Sequence, residues 1–366
     1  SRWVKRDGRP TDDVILKSRA VDRSLRPMFP DGLTNEVQII NTVFSYDGEN
    51  DPDMLGLLGS CLGVMISEIP FDGPLTGLRI GYSKANQTFA INPTMTERKT
   101  LDLDMIVSGN GKTVVMVEAG ANEVSEAVVV EALMKSQEIF AGVCADMEKI
   151  VAEVGKTKVE LIEKDAAKDA RRAELKTAIK KGYADQIHNM VINDKGGESV
   201  DTSALSSEIA EKLNKGKDEA DAYTTGEISE ALYKSTKEHA RSMIIDEKVR
   251  PDGRKTDEIR PIWCEVDVFP RPHGSAMFKR GMTQVVTITT LGAPGLGQFI
   301  EGIDGEDIRH YMHHYNMPPY ASGEAGRFGA PKRREIGHGA LAERALLPMI
   351  PSQEEFPYAI HVVSEV

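Results

Sequence analysis

The chain has 366 residues, 40% hydrophobic and 28% charged, with a formal charge of −12. That length suits two or three domains with proper cores, and the acidic balance excludes a general nucleic-acid coat. Local contacts to nucleic acid remain open, because a charge is screened over roughly 8 Å at physiological salt.

No apolar run is long enough for a membrane span, and no signal peptide opens the chain. Cys61, Cys144 and Cys264 are few and outside any metal-ligand spacing, which predicts buried thiols in a reducing, cytoplasmic compartment. The start at Ser1 and the stop at Val366 inside a strand-like run read as those of a fragment.

Arg2 to Pro10 is a basic loop, in which Trp3 among Lys5, Arg6 and Arg9 is the combination that stacks on bases and pairs with phosphates. A helix is predicted from Asp12 to Leu25. Arg19, Arg23 and Arg26 recur along it at helical spacing as a basic stripe with no matching row of acids, and Pro27 ends it. Val37 to Val43 reads as a short apolar strand. Met54 to Ile66 reads as a fully buried helix, with Gly56, Gly59 and Gly63 admitting close neighbours. Strands at Gly77–Tyr82 and Thr88–Ile91, a hairpin over Leu101–Glu118 turning at Asn110-Gly111, and a long helix from Ser125 to Val154 complete a first domain, 1–154.

Residues 155–240 change in character. Charges of both signs alternate with small residues and glycines interrupt the pattern, predicting an all-α linker domain. A third part, 241–366, opens on the turn Arg250-Pro251-Asp252-Gly253. A strand follows at Glu265–Phe269, and then a hairpin from Ala276 to Thr290. Gly292 to Asp307, rich in glycine and acids, reads as a loop. Tyr311 to Tyr315 reads as a strand whose alternation sends His313 and His314 to opposite faces, a poor metal pair.

The next stretch, Pro331-Lys332-Arg333-Arg334-Glu335-Ile336-Gly337-His338-Gly339, sets three cations at the start of a predicted helix, with Arg334 and His338 on one face. Cations crowded at a positive helix end repel one another unless they share an anion, so the pattern fits a phosphate site; a solvated basic turn is the alternative.

Pro27 laid over Pro348 exposes an internal repeat. Asp22 to Pro30 lies over Glu343 to Pro351, and, after a loop two residues longer in the second copy, Leu33 to Val43 lies over Phe356 to Val366. In this alignment Asp12 and Asp13 take the places of Arg333 and Arg334, and Lys17 that of His338. One copy is equipped for an anion and the other is not.

The segments Gly274 to Gln284, Asn316-Met317-Pro318-Pro319-Tyr320, Lys332 to Gly339 and Val362-Val363-Ser364-Glu365 closely resemble the polynucleotide phosphorylase family. The resemblance implies an α+β fold: two ribonuclease PH-like domains, both partial here, joined by an all-α helical domain. It implies phosphate-dependent 3′-to-5′ degradation of single-stranded RNA, reversible polymerisation and a role in mRNA turnover. Partners would be RNA, two further copies in a homotrimer, and RNA-degradation complex proteins.

Arg333, Arg334 and His338 match the family's catalytic residues, while Trp3, Lys5, Arg6, Arg9, Arg19, Arg23 and Arg26 match its RNA channel. Inorganic phosphate would be co-substrate and Mg2+ or Mn2+ the cofactor, with the serine loop, the two metal aspartates and a lysine expected beyond Val366. In the first copy the serine-loop counterpart is Glu49-Asn50-Asp51-Pro52-Asp53. Asp104 stands at one metal aspartate, Ile106 replaces the lysine, and Arg98 falls near the other aspartate, so Asp104 reads as structural. The competing reading is a non-catalytic ring subunit that only threads RNA.

Overall fold

The computed structural model describes residues 8, 10–161, 166–193, 202–218, 221–302 and 305–366. Two compact units emerge, one of residues 1–162 with 288–365 and one of residues 163–287 with Val366.

In the first unit, α1 (Asp12–Leu25) is capped by Thr11, whose hydroxyl accepts the Val14 N–H at 3.4 Å. Asp12 and Asp13 fall in the first turn, where they favour the helix dipole without capping it. No strand forms over 37–43, contrary to the pattern. A strand needs a neighbour to take its backbone hydrogen bonds, and this segment has none among the described residues. Its apolar side chains consequently lie open, with Ile40 75% and Val43 49% exposed.

The helix α2 (Asp53–Ile66) buries Leu57, Cys61, Val64 and Met65 but is not enclosed. Its glycine row faces outward, since nothing lies within 4 Å of a side chain built at Gly59 or Gly63, and Leu55 is 69% exposed. The larger side chains take the core because they remove more apolar surface from water, about 1.5–3 kcal/mol for each fully buried residue.

Strands β1 (Thr76–Ser83) and β2 (Thr88–Ile91), the short helix α3 (Met95–Arg98), and strands β3 (Leu103–Gly109) and β4 (Val114–Ala121) follow. They build an antiparallel sheet in the order β2-β1-β3-β4. Between β3 and β4, Gly111 takes φ +80 where a Cβ would also meet Ala141 at 2.9 Å, so the turn position is closed to other residues. Alternation divides the sheet's faces. Leu78, Ile80, Leu103, Met105 and Val107 pack on Ala132 and Phe140 of α4 (Glu126–Val154), whereas Arg79, Asp104, Ile106 and Glu118 take the other face. After α4 the chain returns to α2, and the Lys158 ammonium donates to the carbonyls of Val64, Met65 and Ser67 at 2.8–2.9 Å, closing that helix's C-terminal end.

The second unit holds helices α5 (Ala166–Gly182), α6 (Ala184–Ile192), α7 (Ser203–Asn214) and α8 (Thr225–Ser242). Leu175 and Ile179, Leu205 and Ile209, Ile228 and Leu232 are pairs four residues apart that meet in one core. Thr224 and Glu227 form a capping box at the start of α8. The strand predicted at Glu265–Phe269 is found earlier, as β5 (Ile262–Val266), and ends where Asp267, at φ 58, leaves the extended conformation while its N–H still donates to the Ser275 carbonyl at 2.8 Å. It pairs with β6 (Gly274–Arg280), and Cys264 is exposed on it, against the expectation of a buried thiol. Strand β7 (Thr283–Gly292) carries the chain back into the first unit.

There the predicted loop is a hairpin, β8 (Gln298–Gly302) against β9 (Gly305–Arg309). Its glycines and acids conceal a pairing that satisfies the backbone. Strands β10 (Tyr311–Asn316) and β11 (Ala359–Glu365) run parallel, with α9 (Arg333–Leu346) between them in sequence. His313 and His314 do face opposite ways. His313 is buried between the Tyr311 hydroxyl at 3.1 Å and Ser364 Oγ at 2.9 Å, while His314 meets His361 at 2.9 Å on the exposed side.

Candidate functional site

The cations of the basic turn stand on the first turns of α9, and the chain fixes that helix by acids on its inner side. Glu335 accepts the Lys332 N–H at 2.7 Å and, through its other oxygen, the Met317 N–H at 2.9 Å, tying the helix start to the Asn316–Tyr320 loop. Glu343, two turns on, accepts the His313 N–H at 3.0 Å and pairs with Arg309 at 3.2 Å. Gly339 lets α9 lie on β10, since a Cβ there would reach the His313 carbonyl oxygen at 3.2 Å.

On the outer side, Arg333, Arg334 and His338 are exposed. The His338 ring packs on that of Tyr315 with centroids 4.2 Å apart. Burial pushes the Tyr315 hydroxyl above its ordinary pKa, with the Arg334 charge opposing that rise.

The basic stripe on α1 divides. Arg26 returns to Asp22 one turn back at 2.6 Å, and Arg23 pairs with Glu118 of β4 at 3.1 Å, so acids do match two of the three cations. Arg19 is different. Its guanidinium lies against α9, where a Cβ built at Gly337 would sit 2.3 Å from Arg19 Nε, and the neighbouring Ser18 hydroxyl meets Arg333 Nη1 at 3.5 Å. Among the described residues no carboxylate pairs with Arg19, Arg333 or Arg334. Trp3, Lys5, Arg6 and Arg9 lie outside the described residues.

The equivalent region of the first copy is filled by the chain itself. A cleft of about 200 Å³ is lined by Lys17, Asp51, Asp53, Arg79, Arg98 and Asp104 among others. Arg79 grips both oxygens of Asp104 at 2.8 and 3.0 Å and Asp53 at 2.5 Å. Arg98 donates to Asp104 at 2.8 Å and to Asp51 at 3.3 Å, and Lys17 pairs with Asp13 at 3.0 Å and Asp51 at 3.3 Å. Burial would raise the Asp104 carboxyl, but the Arg79 and Arg98 guanidiniums hold it below the usual carboxylate range. Burial raises Asp53 above that range despite Arg79. These carboxylates are committed to arginines and do not fit a divalent cation, and among the described residues no group of three or more His, Cys, Asp or Glu is placed to hold one.

Sequence reasoning singled out Asp104 and Arg98 but missed Arg79, Glu118 and Tyr315. Strand parity was the available signal for the first two: the register sets Arg79, Asp104, Ile106 and Glu118 on one face of the sheet.

Comparison with known proteins agrees with this duplicated architecture. The model for "3' exoribonuclease family, domain 1" matches residues 1–70 and again 258–366, that for "3' exoribonuclease family, domain 2" matches 74–139, and that for "Polyribonucleotide nucleotidyltransferase, RNA binding domain" matches 174–255. The polyribonucleotide nucleotidyltransferase of Caldicellulosiruptor bescii is 44% identical over 365 residues, 100% of this chain and 50% of that protein. The one from Alkaliphilus oremlandii is 45% identical over 370 residues, again 100% and 50%. A chain of the solved Archaeoglobus fulgidus exosome with RNA bound to the active site aligns with 35% of this chain and 50% of its own length, at 21% identity and a TM-score of 0.26, and bears no weight here. The chain thus spans about half the length of the curated relatives it matches. With the exoribonuclease module found twice, the helical module between, and this identity along its whole length, the chain belongs to the polyribonucleotide nucleotidyltransferase family.

Proposed function

We propose that the whole protein degrades single-stranded RNA from the 3′ end by phosphorolysis, releasing nucleoside diphosphates, and runs the reverse polymerisation. The observation that carries this reading is the set Arg19, Arg333 and Arg334, without a carboxylate among the described residues, standing beside His338 in a region where the neighbouring cations of α1 and β1 are paired. Phosphorolysis brings an RNA phosphodiester and an inorganic phosphate together, and two anions need cations between them. Arg333 and Arg334 each offer a fork of donors to such oxygens. His338, held by Tyr315, contacts the scissile region. Arg19 adds a cation from the first copy, while Arg23 and Arg26 act on RNA only as part of the general field of that face. Trp3, Lys5, Arg6 and Arg9 belong to the RNA entrance in this reading.

The domain limits 1–154, 155–240 and 241–366 are those we propose for the folding units of the whole protein. A cytoplasmic homotrimer acting in mRNA turnover, alone or with other RNA-degradation proteins, is part of the same proposal. So is a magnesium or manganese ion, which assists the leaving group when bound. The first copy's carboxylates do not supply its ligands, and no step here passes through it.

The whole protein, given poly(A), inorganic phosphate and Mg2+, is expected to release ADP and to stop when phosphate is withheld. Release of AMP, or turnover indifferent to phosphate, would overturn the reading in favour of a hydrolase. Absence of any turnover would favour a ring subunit that only threads RNA.

A further inference from the structure

We propose that Glu118 is a positioning residue that sets the cations of α9 against Arg19 of α1. The proposal rests on the phosphorolytic reading above and adds to it a residue that touches neither RNA nor phosphate. Glu118 lies on β4 with its side chain 14% exposed, and each carboxylate oxygen has its own partner. Oε2 accepts from Arg23 Nη1 at 3.1 Å and Oε1 from Arg344 Nη1 at 3.2 Å.

These two arginines are the same position in the two copies, because the alignment that sets Pro27 on Pro348 sets Arg23 on Arg344. One carboxylate therefore holds the repeat-equivalent arginine of both helices. Without it, the two guanidiniums would lose the carboxylate they share, and their mutual repulsion would be offset less.

The stem of Arg344 is fixed as well. A Cβ at Gly120, on the same face of β4, would lie 2.9 Å from Arg344 Cδ, so the aliphatic chain rests on the glycine while its head reaches Glu118. Glu335 and Glu343 tie α9 to strands and loops of its own copy, and say nothing of where α1 lies. Glu118 supplies the missing link. Arg344 is ten residues beyond Arg334 on one helix, about 15 Å at 1.5 Å per residue. A helix of that length moves as a rod, so loosening its far end shifts Arg333 and Arg334 relative to Arg19.

The test uses the whole protein, with Arg334→Ala as the reference variant, assayed well below the melting temperature with RNA saturating. Glu118→Gln is expected to raise the KM for inorganic phosphate about ten-fold or more, since misplacement by about 1 Å costs up to a hundred-fold. Glu118→Asp should recover part of that loss. Glu118→Gln with Arg344→Ala should be no worse than the poorer single variant, because both break the same contact. A purely structural role would lower the melting temperature and leave the KM of the folded protein unchanged. That result, or independent multiplication of the two losses, overturns the proposal. If Glu118→Gln does not fold, Arg344→Ala is read by the same KM criterion: a raised KM with native melting supports the proposal and a wild-type KM overturns it. If the wild type makes no ADP, or Arg334→Ala equals the wild type, it is the phosphorolytic reading that has failed.

Discussion

Gly337 is a point of close approach between the two copies, and its lack of a side chain is what admits the Arg19 guanidinium. Ala at that position would improve helix propensity by about 1 kcal/mol, and the clash it creates is with the free end of a flexible side chain. Gly337→Ala should therefore leave the melting temperature equal or higher while displacing Arg19. The expected outcome is weaker phosphorolysis, with Gly337→Ala and Arg19→Ala non-additive; additive losses would separate the glycine from the arginine. Arg334→Ala should abolish phosphorolysis with an unchanged melting curve, because an exposed arginine without a carboxylate partner contributes little to stability. A charge-assisted hydrogen bond contributes about 1.5–3 kcal/mol, so one lost contact accounts for ten- to a hundred-fold and several for more. His313 titrates against folding. Burial, and then the charge of His314, lowers its pKa, and His361 is lowered by burial and by the same neighbour. The unfolded chain takes up a proton near pH 6.5 and the folded chain only at lower pH, so stability falls as pH drops through that value. Urea midpoints at pH 7.5 and 5.5 should show the decline, and His313→Gln should flatten it; an unchanged slope would locate the titration elsewhere.

At the scale of elements, legibility followed the range of the interaction. Helix α1 ends where Pro27 demanded, α4 runs as the long helix read from the chain, and the second unit is helical where charges, small residues and glycines predicted it. These signals are local. The hairpin of β8 and β9 was hidden by a composition typical of loops, and 37–43 was read as a strand because pattern reveals side-chain alternation but not the presence of a neighbour. The site was readable in the same measure. Arg333, Arg334 and His338 could be found from a single turn of helix, whereas Arg23 meets Glu118 across 95 residues and Arg344 meets it across 226, distances at which no spacing rule operates. The end of α2 offers a test of such a long-range link. Lys158 donates to three carbonyls there, so Lys158→Met should destabilise the first unit by roughly 1 kcal/mol, the net worth of such contacts where the Val64 carbonyl keeps its Ser67 donors. Denaturant unfolding measures it, and a change within error would mean water replaces the ammonium.

Across the whole molecule, duplication has produced two unlike sites from one template. In the first copy, Arg79 and Arg98 are answered by Asp51, Asp53 and Asp104; in the second, among the described residues no carboxylate answers Arg333 or Arg334. The whole protein is accordingly expected to bind one phosphate-class anion per chain. Calorimetric titration with tungstate checks this, and two equivalent sites would contradict the asymmetry. The ion-paired cleft should instead appear in stability: Arg79→Met leaves the buried Asp53 carboxylate without its partner, while Arg98 still holds Asp104, and should cost about 3 kcal/mol.

That ion-pair cluster also has a historical meaning. A chain holds a margin of only about 5–15 kcal/mol, and removing any one member of a buried network takes a large part of it. For unpaired cations to arise there, the first copy would have to lose Asp53 and Asp104 while keeping their arginines, and each step strips pairing from a network that is largely buried. The cluster therefore acts as a ratchet, under which specialisation of the two halves is easy to enter and hard to reverse one substitution at a time.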